Sequence, residues 1–83
     1  MVDMTSTVEL MLSDNHKDRF KAEFYQLKIR YAKLRIMLDK WDNGELQFEP
    51  TCPKQLLESQ LKVMGEYLDI LGDRAEIEGI ELE

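Results

Sequence analysis

The first long helical segment of the sequence carries apolar residues on two opposite sides. One series repeats at alternating spacings of four and three residues, which is the pattern of a helix-packing seam. The other repeats at spacings of three and four, and at about 100° per residue the two series lie on nearly opposite sides of the helix. The first series is Phe20, Phe24, Leu27, Tyr31, Leu34, Leu38 and Trp41; the second is Ala22, Tyr25, Ile29, Ala32 and Ile36. One partner helix can cover only one side, so the second series predicts a subunit interface, unless it is a mildly apolar exposed face.

Local signals place the ends of two long helices. Ser13, Asp14 and Asn15 are successive N-cap residues, and Gly44 follows the first periodic segment as a C-cap signal. Pro53 opens the second segment, where its missing N–H costs nothing.

These signals predict an all-α fold, namely an antiparallel two-helix hairpin assembled into a helical oligomer. The predicted helices span about residues 15–41 and 53–77 within a hairpin domain of residues 15–83. Residues 1–14 are predicted to form an N-terminal docking arm or a single helical turn. The segment from Glu78 onward is predicted to be a short acidic tail.

The second helix has its own seam and two glycines. The seam is Leu57, Leu61, Met64, Leu68, Leu71 and Ala75, and it is flanked by Leu56, Val63, Tyr67, Ile70 and Ile77. Gly65 and Gly72 lie seven residues apart on one side of the helix. Because glycine in a helix costs up to about 1 kcal/mol relative to alanine, the pair indicates either close approach of another helix or two tolerated surface positions.

Size and composition exclude several classes of protein. A chain of 83 residues forms a marginal core, and self-association is the expected source of additional stability. Cys52 and His16 are the only residues of their kinds, so no disulfide, metal site or cofactor is expected. No catalytic motif is present, and an enzyme is therefore not expected. The chain has no apolar run of membrane-spanning length, which favours a cytoplasmic protein, and its net charge of −6 argues against direct nucleic-acid binding.

Charge is divided unequally between the helices. Eight basic residues against three acidic ones give residues 15–41 a charge of +5, which leaves −11 for the rest of a chain whose total is −6. The residues Lys17, Lys21, Lys28 and Arg35 form a basic ridge within about 40° of one another. In one explanation, the basic first helix simply pairs with the acidic second helix. In the other, ridges from symmetric copies surround a cleft that binds phosphates, and Tyr25 or Tyr31 stacks on a base.

Three segments of the sequence resemble a known group of proteins. The matching segments are NHKDRFKAEFYQLKIRYAKL, PTCPKQLLESQLKVMGEYLDIL and RAEIEGIEL. They resemble a family of small phage and prophage proteins named after a gene of a crAss-like phage. The plan of the chain is also similar to the helical hairpin of phage sponge proteins, which sequester cyclic nucleotide signals of CBASS and Thoeris immunity between subunits. The resemblance implies that Lys28 contacts phosphate and that His16 and Arg19 lie near the same pocket.

Together these observations predict a phage anti-defence protein that sequesters a small anionic nucleotide signal, of cyclic oligonucleotide or ADP-ribose type, between subunits. The predicted ligand-binding residues are His16, Arg19, Tyr25, Lys28 and Arg35. One alternative is a protein-binding inhibitor of a host nuclease, such as an anti-CRISPR or nucleic-acid mimic. Another is a structural coiled-coil adaptor.

Overall fold

In the computed structural model the chain is all-helical, and the structure describes residues 2–82. The elements are α1 (Thr7–Met11), α2 (His16–Asp42) and α3 (Lys54–Glu78). The all-α prediction is confirmed, and two of the three helices are the predicted long ones. Residues 1 and 83, at the outer ends of the predicted arm and hairpin domain, lie outside the described residues.

The caps of the long helices follow the sequence signals. Asn15 is the N-cap of α2, and its side chain accepts a hydrogen bond of 2.9 Å from the backbone N–H of Lys17. Asn43 caps the other end of α2, and Gly44 adopts a left-handed φ of 71°. Pro53 is the N-cap of α3. The prediction of these ends is therefore correct to within about one residue, which is the ordinary uncertainty of a helix boundary.

Residues late in α2 contact residues early in α3, and residues early in α2 contact residues late in α3. Near the connecting loop, the Lys54 ammonium donates a hydrogen bond to the Asp42 carboxylate, which raises the pKa of Lys54 above its ordinary value. Farther away, the Tyr67 hydroxyl donates to the Glu23 carboxylate. The guanidinium of Arg74 lies 5.0 Å from the centre of the Phe20 ring, at the end of the helix pair opposite the loop.

The N-terminal arm folds into α1 and packs on the second apolar side of α2. Thr7 is fully buried, and its hydroxyl oxygen accepts a hydrogen bond of 2.9 Å from the Gln26 side-chain amide. Ala22 and Tyr25, two members of the second series, are buried. Part of the surface that the sequence assigned to a subunit interface is thus covered within the chain. Ile36 of the same series remains 54% exposed.

The main core lies at the end of the helix pair away from the loop. It consists of Phe20, Leu71, Ala75 and Ile80. Ile80 reaches it because Gly79 adopts a left-handed φ of 69° and the Ile80 N–H donates a 2.8 Å hydrogen bond to the Ala75 carbonyl, as in a Schellman turn. The segment predicted as an acidic tail therefore folds back and contributes to the core.

Within residues 2–82, no helix combines the length and the apolar character that crossing a bilayer requires.

The fold is elongated, with principal extents of 43 × 24 × 19 Å.

Truncation of Leu71, which is completely buried, tests the position of the core. We expect Leu71→Ala to lower the free energy of unfolding by about 2–5 kcal/mol, because a buried leucine is replaced by a cavity. Urea denaturation followed by circular dichroism measures the change. The matched control is Leu12→Ala, at a side chain that is 74% exposed, with an expected change within about 0.5 kcal/mol. Equal losses in the two variants would contradict this location of the core.

Candidate functional site

An open groove lies between α2 and α3 around Lys28, and we refer to it as the Lys28 groove. It has a volume of about 690 Å³. Its lining residues are Phe24, Lys28 and Tyr31 from α2 and Leu68, Asp69, Gly72 and Asp73 from α3. The three α2 residues follow one another at spacings of four and three, so one side of that helix supplies two aromatic rings and a cation.

The two glycines of α3 have different surroundings. A Cβ atom added at Gly65 would lie 3.4 Å from Cε2 of Tyr31, whereas one added at Gly72 would meet nothing within 4 Å. The close approach predicted for the pair therefore occurs only at Gly65, where an aromatic ring lies against α3. At Gly72 the missing side chain leaves the floor of the Lys28 groove open.

The groove combines one cation with two carboxylates. Lys28 is exposed and, among residues 2–82, makes neither a hydrogen bond nor an ion pair, so its ammonium is available to a ligand. Asp69 and Asp73, which are also exposed, line the α3 side. A lysine contacts phosphate as a point charge, and carboxylates accept hydrogen bonds from hydroxyl or amino groups. An aromatic side chain such as Tyr31 offers a face for base stacking. A ligand that carries phosphate alone would use only part of this chemistry.

Two other predicted site residues lie away from the Lys28 groove. His16 is exposed at the first position of α2. Arg19 donates a 2.8 Å hydrogen bond from Nη1 to the carbonyl oxygen of Ser13. Arg19 also lines a different depression, with Met11 and Arg30 among its neighbours. Within one chain, its guanidinium therefore helps to hold the connection between α1 and α2.

Arg35 lies on the same side of α2 as Lys28, one heptad farther along. Seven residues correspond to about 10 Å along the helix axis, and Arg35 is exposed. Its guanidinium makes no hydrogen bond or ion pair within residues 2–82. Of the predicted basic ridge, Lys28 lines the groove and Arg35 does not.

Tyr25 is buried and does not line the Lys28 groove. Its ring meets Phe24 edge to face, with centroids 5.7 Å apart and planes at 75°. It lines a separate cavity of about 900 Å³ near the arm and the C-terminal segment, where Lys21 is accompanied by the acidic residues Glu9, Asp18 and Glu81. Of the two tyrosines that the sequence offered for stacking, the structure brings Tyr31 and not Tyr25 to Lys28.

Six of the seven groove residues were absent from the predicted ligand-binding residues: Phe24, Tyr31, Leu68, Asp69, Gly72 and Asp73. The heptad seam identified Phe24 as a residue facing α3, and the spacing of four between Asp69 and Asp73 indicates that the two carboxylates share a helix face. Which residues of α3 lie opposite Lys28 depends on the register between the helices, and no local pattern encodes that register.

The fold and the groove define a small all-helical protein with an open, mixed-charge groove between its two long helices. The chain belongs to the Sequestin family, whose profile matches residues 14–77. The match contains all of α2 and all but the last residue of α3. The family name indicates a protein that sequesters a ligand, in agreement with the resemblance to sponge proteins found in the sequence. No curated protein and no solved structure matches the chain.

Replacement of the α3 glycines tests the geometry of the groove floor. We expect Gly72→Ala to raise the free energy of unfolding by about 0.8–1 kcal/mol, because alanine favours the helix and its methyl group meets no neighbour. Gly65→Ala should gain no more than this, because its methyl group would lie 3.4 Å from Cε2 of Tyr31, at the close limit of van der Waals contact. Thermal denaturation of the two variants measures the difference. A larger gain at position 65 than at position 72 would contradict the described packing.

Proposed function

We propose that this protein sequesters a small anionic nucleotide signal, a cyclic oligonucleotide or an ADP-ribose-type molecule, between subunits. In this proposal it acts by stoichiometric binding and not as an enzyme. The biological setting we propose is phage anti-defence in the host cytoplasm, where removal of an immune signal prevents activation of the effector.

The observation that carries the proposal is the unpaired ammonium of Lys28 beside the Tyr31 ring in an open groove. A nucleotide presents phosphate, ribose hydroxyls and a flat base. Lys28 fits the phosphate, Asp69 and Asp73 fit the hydroxyls, and Tyr31 with Phe24 fits the base. Membership in the Sequestin family supports a sequestering role.

The balance of charge supports a site shared between copies. A single groove offers one lysine against Asp69 and Asp73, and Arg35 lies about 10 Å farther along α2. A ligand with two or more phosphates needs additional hydrogen-bond donors. We assign them to the N-terminal residues His16 and Arg19 of a neighbouring subunit.

Calorimetric titration tests the proposed ligand class. The purified protein is titrated with a panel of cyclic dinucleotides, cyclic trinucleotides and cyclic ADP-ribose isomers. We expect saturable heat with at least one of them, at a stoichiometry of one ligand or fewer per chain. No heat from any member of the panel would contradict the proposed function.

Substitution of Lys28 tests the location of the site, with whichever panel member binds. We expect Lys28→Ala to weaken binding by about 10- to 100-fold, because a charge-assisted contact to phosphate contributes about 1.5–3 kcal/mol. The matched control is Lys33→Ala, because that exposed residue lies about 140° around α2 from Lys28. Equal affinities of the two variants would place the site elsewhere.

A further inference from the structure

The outer side of α3 carries an uncovered apolar stripe along almost its whole length. Leu56, Val63, Ile70 and Ile77 recur every seven residues and are 60%, 61%, 57% and 85% exposed. Tyr67, 41% exposed, borders them on the side toward α2, where its hydroxyl donates to the Glu23 carboxylate. We refer to these five residues as the α3 stripe. Single exposed apolar residues are ordinary, but a continuous stripe of this length on a soluble helix indicates an interaction surface.

The period of the stripe specifies the shape of its partner. A strict seven-residue repeat keeps apolar side chains facing a second helix that runs along the first. The stripe is separated by about 120° from the seam that packs against α2, so it requires a helix beyond those of the same chain. Gly72, at the floor of the Lys28 groove, lies on the opposite side of α3 from the stripe, whereas Asp73 borders the stripe between Ile70 and Ile77. A helix seated on the stripe therefore faces away from the groove floor.

Area favours a second copy of this chain as the occupant. The five side chains expose an apolar surface of several hundred Å². In a two-fold pairing each copy buries the same patch, and together with its rim the contact approaches the roughly 1,200 Å² total at which stable interfaces begin. The short core at one end of the helix pair leaves the loop-proximal half in need of such support.

The distribution of charge favours an antiparallel arrangement of the two α3 helices. In residues 54–65, two lysines against one glutamate give +1; in residues 66–78, five acidic residues against Arg74 give −4. A parallel pair would place the two −4 halves side by side. An antiparallel pair places each −4 half against a +1 half, which is electrostatically better.

We infer that α3 pairs with α3 of a second copy in an antiparallel, two-fold contact through the α3 stripe, with Leu56 of one copy next to Ile77 of its partner. This contact differs from the α2 interface expected from the sequence, because α1 covers Ala22 and Tyr25. Of the large apolar side chains in the second α2 series, Ile36 is the exposed one. The inference specifies the oligomer part of the proposed function. The α3–α3 contact is tested without ligand, so the contact and the proposed ligand binding can be refuted independently of each other.

Mass measurement in solution gives the first test. The native protein, studied by sedimentation equilibrium, should have a mass of at least two chains, and Val63→Glu with Ile70→Glu should halve it while the helical circular dichroism is retained. The matched control Ile36→Glu, at a side chain 54% exposed on α2, should leave the native mass unchanged. A monomeric native protein, an undiminished mass in the double variant, or dissociation of the Ile36→Glu control would overturn the inference.

Disulfide crosslinking gives a second test that does not depend on the folding of the glutamate variant. Cys52, which is exposed, is first replaced by serine. Leu56→Cys combined with Ile77→Cys should then give covalent dimers under mild oxidation, whereas Leu56→Cys alone should not, because its two copies lie about 31 Å apart in an antiparallel pair. Efficient crosslinking of the Leu56→Cys variant alone, or none in the combined variant, would overturn the antiparallel contact.

Discussion

The need to cover both apolar sides of α2 determines the arrangement of the other elements. α3 covers the heptad seam of α2, and the buried residues of α3 are Leu71 and Ala75. α1 covers part of the opposite side, where Thr7 accepts the hydrogen bond from Gln26. The Thr7 hydroxyl donates to the Met4 carbonyl within the arm and accepts from the Gln26 amide of α2, so the hydrogen bond from Gln26 joins the arm to α2. A single long helix is thus packed on one side against α3 and on part of the opposite side against α1.

The two ends of the helix pair are built differently. Away from the loop, the turn at Gly79 returns the chain so that Ile80 joins Phe20 and Leu71 in the core. Toward the loop, Leu38 is buried, and polar contacts such as Lys54 with Asp42 accompany the apolar packing. The Lys28 groove lies between these regions, where Gly72 contributes no side chain. An open groove can exist there because apolar burial in the regions on either side stabilises the folded state.

The proposed ligand site and the α3 stripe use different sides of the same helix. α3 presents its seam to α2, Asp69 and Asp73 to the groove, and the stripe to solvent. A small protein gains from this division, because association can stabilise the helix pair without occupying the groove. In the proposed function, the mixed charge of the groove suits a ligand with both phosphates and hydroxyls, and a neighbouring subunit supplies the further donors that one chain lacks.

Much of the fold could be predicted from the sequence, because helix periodicity and caps act over a few residues. The seam, the N-cap at Asn15 and the left-handed turn at Gly44 are local features of this kind, as is the availability of Lys28 on a basic ridge. Three features required the tertiary structure: the packing of α1 over Tyr25, the return of Ile80 to the core, and the placement of Asp69 and Asp73 opposite Lys28. Each depends on which distant surfaces bury the most apolar area together, and that competition is settled only when the whole chain is folded.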